Sequence, residues 1–120
     1  MRTLISGNDA MAFSVLFKGC RFAAGYPITP ANEALHTLRR FAKQFGTRVK
    51  QLDFELYSAN ACKGWAAAAK HLGMSNVPAG VPFSPTSGPG YLYYHDTIVK
   101  MATIRLPAVF SNSMRGGPGL

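Results

Sequence analysis

GYPITP, residues 25–30, decides how this chain is read. A glycine leads, and prolines 27 and 30 bracket Ile28 and Thr29, so the backbone path is fixed locally. The run before it, CRFAAGY (20–26), predicts a short strand. Thr29 followed by Pro30 predicts a helix start, with threonine at N-cap, proline at N1 and Glu33 in the first turn. Beyond it Ala34, Leu35, Leu38, Phe41, Ala42 and Phe45 recur at helical spacing. His36, Arg39, Arg40 and Lys43 occupy the other face, and Gly46 stops the helix.

The same strand–turn–helix pattern recurs outward. Upstream, Asn8 or Asp9 is placed to cap a helix running to about Lys18 and closed by Gly19. Downstream, RVKQLDF (48–54) predicts a second strand. Residues from Glu55 to Leu72 predict a helix apolar on most sides and well buried. The passage NVPAGVPFSP (76–85) leads to TSGPG (86–90), a helix is expected from Tyr91 to about Arg105, and PAVFSNS (107–113) reads as a strand. Pro78, Pro82 and Pro85 argue against a regular strand before TSGPG, because a proline cannot donate to a ladder. The pattern is that of an α/β domain with a parallel sheet, in which sites form at the carboxyl ends of strands. Four candidate loops would meet there: Gly25–Pro30, the start of the Glu55 helix, Thr86–Gly90 and Arg115–Pro118.

Composition bounds the function classes. The 120 residues suffice for one domain, and 48% hydrophobic with 15% charged residues is a globular balance. The net charge of +8 invites a nucleic-acid reading, but the cations are scattered and no basic run carries interleaved aromatics, which argues against it. Cys20 and Cys62 lie far apart without a CxxC, so a zinc or iron–sulfur site built from this chain alone is not indicated. Two buried thiols in a reducing compartment, the cytoplasm, is the simplest reading. No long apolar span or signal peptide is present in the sequence. There is no phosphate-binding GxxxxGK[ST] and no dinucleotide fingerprint, and His36, His71 and His95 lack metal-ligand spacing. Singly, each loop has a plain structural explanation: a cap, a first-turn acid, a tight connection, a solvated arginine.

Jointly the loops are more specific. ISGNDAMAFSVLFKGCRFAAGYPITPANE (5–33), ELYSANACKGWAAAA (55–69) and TSGPG through RGGP (86–118) resemble, in order, the α subunit of the 2-oxoacid:ferredoxin oxidoreductases, in its pyrimidine-binding domain. The TSGPG…RGGP combination is more similar to the 2-oxoglutarate-type branch than to the pyruvate type. The resemblance implies a thiamine diphosphate-binding fold and oxidative decarboxylation of a 2-oxoacid to an acyl-CoA, with electrons leaving through iron–sulfur clusters to ferredoxin. It implies that Glu55 hydrogen-bonds the aminopyrimidine ring and favours its imino tautomer. It implies that Thr29 lies near the oxoacid and that Arg115 binds its carboxylate, a task suited to a planar fork. Tyr26, Pro27, Ile28, Thr86, Ser87, Gly88 and Gly90 would line the cofactor. No metal ligand is implied on this chain; magnesium, the diphosphate-binding domain (on a β subunit) and the clusters would reside on partners.

The sequence also departs from that family. Asp96 stands where glutamate is usual, and Gly119 and Leu120 follow RGGP where Ser-Thr-Gly is usual. The passage between Glu55 and TSGPG is longer than usual. The resulting expectation is a single, incomplete pyrimidine-binding domain over residues 1–120: a truncated, doubly wound parallel sheet with helices on both faces, inactive by itself. The competing readings are a non-catalytic remnant serving as an interaction module and a basic nucleic-acid-binding α/β domain.

Overall fold

The computed structural model describes residues 2–115. Four strands, β1 (Phe22–Gly25), β2 (Arg48–Gln51), β3 (Phe83–Thr86) and β4 (Val109–Asn112), form one sheet in the order β2-β1-β3-β4. All three pairings are parallel, with Phe22 opposite Arg48, Ala23 opposite Phe83, and Phe83 opposite Val109. Helix α1 (Gly7–Phe17) precedes β1, α2 (Asn32–Phe45) joins β1 to β2, and α3 (Glu55–His71) joins β2 to β3. A short α4 (Gly88–Leu92) and then α5 (His95–Thr103) join β3 to β4. The expected parallel α/β sheet is therefore present.

Two cores follow from side-chain alternation along the strands. On one face Ala23 and Phe83 pack with Ala12, Leu16, Cys20 and Leu38, flanked by Phe13, Phe41 and Phe45 from α1 and α2. On the other, Phe22 stacks on Trp65 of α3 at 5.0 Å, and Ser84 meets the hydroxyl of Tyr94 at 2.7 Å. Gly25 is on the first face: a Cβ there would lie 3.2 Å from Leu35 of α2.

Several local expectations are corrected. Thr29 does not cap α2 and Pro30 is not its N1. The Ile28 carbonyl accepts from the Asn32 amide at 2.8 Å, so a turn occupies the chain first, and the helix begins at Asn32 after Ala31, which makes no side-chain cap. The cap of α1 is Ser6, which accepts from the Asp9 amide at 3.1 Å, rather than Asn8 or Asp9. The third helix buries only one face, through Ser58, Ala59, Cys62, Ala66 and Ala69, while Ala67 and Ala68 face solvent. The expected single helix from Tyr91 to Arg105 parts at Tyr93 and Tyr94, and Tyr94 is fully buried.

Pro85 lies inside β3, a central strand. The carbonyls of Pro82 and Thr86 serve β4, accepting from Val109 and Ser113 at 2.9 and 2.8 Å. Alternation therefore turns the nitrogen of Pro85 toward β1. On β1, the Arg21 and Gly25 carbonyls serve the β2 side, through Arg48 and Leu52, so Ala24 turns its carbonyl toward β3. The Ser84 hydroxyl donates to that carbonyl at 2.6 Å, filling the place of the donor that proline lacks. The long passage before β3 is also anchored: the Trp65 indole donates to the Ala79 carbonyl at 3.2 Å, and Gly80 has no room for a side chain beside the Met74 carbonyl.

Candidate active site

The order β2-β1-β3-β4 reverses direction between β1 and β3. The crevice beyond the carboxyl ends of those two strands is the general binding position of such sheets. GYPITP leaves β1 there and TSGPG leaves β3 there. Glu55 opens α3 immediately after β2, and Ser113–Arg115 follow β4. The described parts of the four loops thus lie at one edge; residues 116–118 are outside the described residues. Backbone bonds tie the edge together, Leu52 to Gly25 at 3.0 Å and Ser113 to Thr86 at 2.8 Å. The N-termini of α1, α2 and α3 converge on it, and Asp9, Glu33 and Glu55 stand in their first turns.

The centre of the edge is Gly90. A Cβ at this residue would sit 2.3 Å from Thr86 Oγ1, 2.8 Å from Glu55 Cγ and 3.1 Å from Glu55 Oε1. Thr86 and Glu55 therefore converge on the bare Gly90 backbone, and only glycine permits it. Glu55 is buried at 6% exposure, although it is an acid. The Thr86 hydroxyl is fully buried beside Tyr94, yet no hydrogen bond of good geometry reaches it. Ser58, one helical turn after Glu55, likewise has a buried hydroxyl without a partner. Ser111 on β4 has a third such hydroxyl. Buried polar groups left unsatisfied cost about 1–3 kcal/mol each, and a polar ligand beside the recessed carboxyl would supply a partner to the Thr86 hydroxyl.

Beneath this group runs a buried chain. Ser84 has one proton, which goes to the Ala24 carbonyl at 2.6 Å, so Tyr94 donates to Ser84 at 2.7 Å. Burial pushes the Tyr94 hydroxyl up from 10.0 to about 12, the Ser84 hydrogen bond opposing. Burial also pushes the Cys62 thiol up from 9.0 to about 12, with Cys20 adding to the effect. These groups are neutral at ordinary pH.

Of the residues singled out from sequence, Glu55, Thr86, Ser87 and Gly90 are buried together, and a Cβ on Gly88 would lie 3.8 Å from Met114 Cε. Tyr26 and Ile28 are half-buried on the β1 loop, and Pro27 and Thr29 are exposed there. Arg115 is exposed, and among the described residues the one ion pair is Lys100–Asp96. Tyr94, Ser84 and Ser58 were not identified from sequence, since nothing in their spacing separates a buried hydroxyl from a solvated one. Asn8 was read as a helix cap; its amide instead contacts Pro30, Glu33 and Ser113. No three His, Cys, Asp or Glu side chains gather into a metal site among the described residues, and no helix among them is long and apolar enough to cross a membrane. An open apolar depression of about 400 Å³, lined by Val15, Cys20, Val77, Phe83 and Val109, lies at the opposite strand ends and contains none of the site residues.

Comparison with known proteins shows the family and the fold. The pyruvate flavodoxin/ferredoxin oxidoreductase family, described as thiamine diphosphate-binding, matches residues 14–120. The chain is 37% identical over 117 residues to the ketoisovalerate oxidoreductase subunit VorB of Methanothermobacter thermautotrophicus, covering 98% of this chain and 30% of that protein. It is 33% identical over 115 residues to the 2-oxoglutarate synthase subunit KorA of Archaeoglobus fulgidus, covering 96% of this chain and 30% of that protein. It therefore spans about 30% of the length of these relatives. Its fold superposes on the 2-oxoglutarate:ferredoxin oxidoreductase of Magnetococcus marinus, solved with 2-oxoglutarate, coenzyme A and succinyl-CoA bound, with a TM-score of 0.81 at 26% identity over 96% of this chain and 18% of that one. The chain belongs to the thiamine diphosphate-binding pyruvate flavodoxin/ferredoxin oxidoreductase family.

Proposed function

We propose that this chain forms the pyrimidine-binding wall of a 2-oxoacid:ferredoxin oxidoreductase. The observation that carries the reading is the recessed Glu55 carboxyl, which meets the side-chain-free Gly90 and the unpartnered Thr86 hydroxyl at the sheet's switch point. The residues fit the aminopyrimidine of thiamine diphosphate: a buried carboxyl to share a proton with a ring nitrogen, a hydroxyl without a partner, and bare backbone for close approach. When bound, thiamine diphosphate supplies the carbon nucleophile for 2-oxoacid decarboxylation. Glu55 holds the proton at the ring nitrogen. Thr86, Ser87, Gly88 and Gly90, together with Tyr26, Pro27 and Ile28, would hold the cofactor. Thr29 contacts the oxoacid, with the amino end of α2 behind it favouring an anion. Arg115 pairs with the substrate carboxylate.

The diphosphate and magnesium would be held by a partner subunit, as would the iron–sulfur clusters, with coenzyme A and ferredoxin completing a cytoplasmic reaction. On this reading residues 1–120 are part of a pyrimidine-binding domain that is active only when the rest of the enzyme is assembled. The resemblance of the TSGPG…RGGP combination to the 2-oxoglutarate-type branch supports 2-oxoglutarate as substrate, while the relative at 37% identity is named for ketoisovalerate, so both acids belong in the assay. In the assembled enzyme, with its magnesium-loaded diphosphate-binding partner and iron–sulfur clusters present, thiamine diphosphate is titrated and turnover of each acid is followed. Glu55→Ala should abolish turnover. Equal behaviour of wild type and variant would sink the catalytic reading and leave an interaction module.

A further inference from the structure

We infer that Asn8 is a positioning residue whose single amide sets the spacing between the two segments that carry Thr29 and Arg115; the substrate part of this inference rests on the proposed oxoacid site. An asparagine at the start of a helix ordinarily caps it. Here Ser6 performs that task, which frees the Asn8 side chain. Its Nδ2 donates to the Pro30 carbonyl at 2.9 Å and to Glu33 Oε2 at 3.3 Å. Its Oδ1 accepts from the Ser113 hydroxyl at 2.8 Å, across 105 positions of sequence. The partners fix the amide's orientation. A carbonyl and a carboxylate only accept, so the nitrogen must face them, and the oxygen faces the hydroxyl.

The clamp joins three pieces of chain that no strand pairing joins directly: the start of α1, the exit of GYPITP and the segment after β4. Pro30 directly follows Thr29, and Ser113 lies two residues before Arg115. Both of those residues are exposed, and each stands just outside a strand or helix. Their separation is therefore governed by what ties their neighbours together. A carboxylate bridged between them would be bound by a preorganised pair when the clamp is closed, and would have to order the segments itself when it is open.

The test uses the assembled oxidoreductase carrying Asn8→Asp, Ser113→Ala or Ser113→Thr. Asn8→Asp removes both donors and sets a carboxylate against Pro30 and Glu33; Ser113→Ala removes one bond; Ser113→Thr retains the hydroxyl. Without substrate, hydrogen exchange is read at the amides of Asn32 and Ser113, which donate to Ile28 and Thr86 at 2.8 Å each. Exchange should accelerate at Ser113 in Asn8→Asp and Ser113→Ala, and at Asn32 in Asn8→Asp. With substrate, the oxoacid KM should rise on the order of ten-fold while kcat stays within about two-fold, and Ser113→Thr should match wild type. Unchanged exchange in all variants overturns the clamp. Faster exchange with an unchanged KM, or a fall in kcat alone, overturns the positioning role. A wild-type assembly that turns over no 2-oxoacid would instead contradict the functional reading, and exchange would still decide the clamp.

Discussion

Thr86 concentrates the conflict between folding and binding in one hydroxyl. It is buried, it has no hydrogen bond of good geometry, and it lies against the Gly90 backbone next to Glu55. An unsatisfied buried hydroxyl costs about 1–3 kcal/mol, and replacing it by a methyl of the same shape removes that cost. Thr86→Val is therefore expected to raise the unfolding free energy by about 1 kcal/mol while weakening thiamine diphosphate binding in the assembled enzyme. Thermal unfolding together with a cofactor titration checks both halves, and a loss of stability would show that the hydroxyl has a partner. Gly90→Ala works in the opposite direction. Its methyl would stand 2.3 Å from Thr86 Oγ1 and 2.8 Å from Glu55 Cγ, so it should cost about 1–3 kcal/mol as well as binding. The family resemblance made Glu55, Thr86 and Gly90 candidates, since singly a first-turn acid and a glycine-rich turn have plain structural explanations. It did not show that the three share one point. That depends on the strand order, which joins residues 35 positions apart and has no local signature.

Pro85 carries the corresponding lesson for elements. Three prolines before TSGPG argued against a regular strand, yet β3 runs through Pro85 in the middle of the sheet. The local rule is sound; what it lacks is the neighbouring hydroxyl. Because Ser84 supplies the Ala24 carbonyl with a donor at 2.6 Å, the dipeptide Ser84–Pro85 acts as a unit. Ser84→Ala should cost about 1–3 kcal/mol, since it strips the Ala24 carbonyl and also the acceptor of Tyr94. In a Pro85→Ala background the restored backbone N–H can serve Ala24, so the same substitution should cost distinctly less. A double-mutant cycle by urea unfolding measures this coupling, and additive costs would show that the hydroxyl is not a substitute for the missing donor. The helix starts were misread for a related reason. Thr29–Pro30 and Asn8 have the chemistry of caps, but their groups are committed to a turn and to a long-range clamp, and the caps fall to Ala31 and Ser6. Helices with a strong apolar stripe, such as α2, were legible because burial of that stripe needs no knowledge of the partner.

For the whole molecule, the two groups that burial holds neutral beneath the site couple folding to alkaline pH. The Cys62 thiol is pushed from 9.0 to about 12 chiefly by desolvation, and the Tyr94 hydroxyl from 10.0 to about 12 by the same cause. Both pKa values are higher in the folded chain than in the unfolded one. Between those limits the folded state retains protons that the unfolded state releases, so stability is complete below about pH 9 and declines as pH rises toward 12. Each unit of difference corresponds to about 1.4 kcal/mol. Urea unfolding at a series of values from roughly pH 8 to 11 should therefore show a falling midpoint. Cys62→Ala should make that fall shallower from about pH 9, and Tyr94→Phe from about pH 10. Each variant also lowers the curve at every pH, Cys62→Ala by leaving a small void and Tyr94→Phe by losing the Ser84 hydrogen bond. The slope, not the height, is thus the diagnostic quantity. Parallel curves for wild type and both variants would mean that neither group holds its proton through folding. A shallower slope in both would assign that part of the alkaline weakness to Cys62 and Tyr94, apart from the contribution of Cys20, whose thiol burial also pushes up on the other face of the sheet.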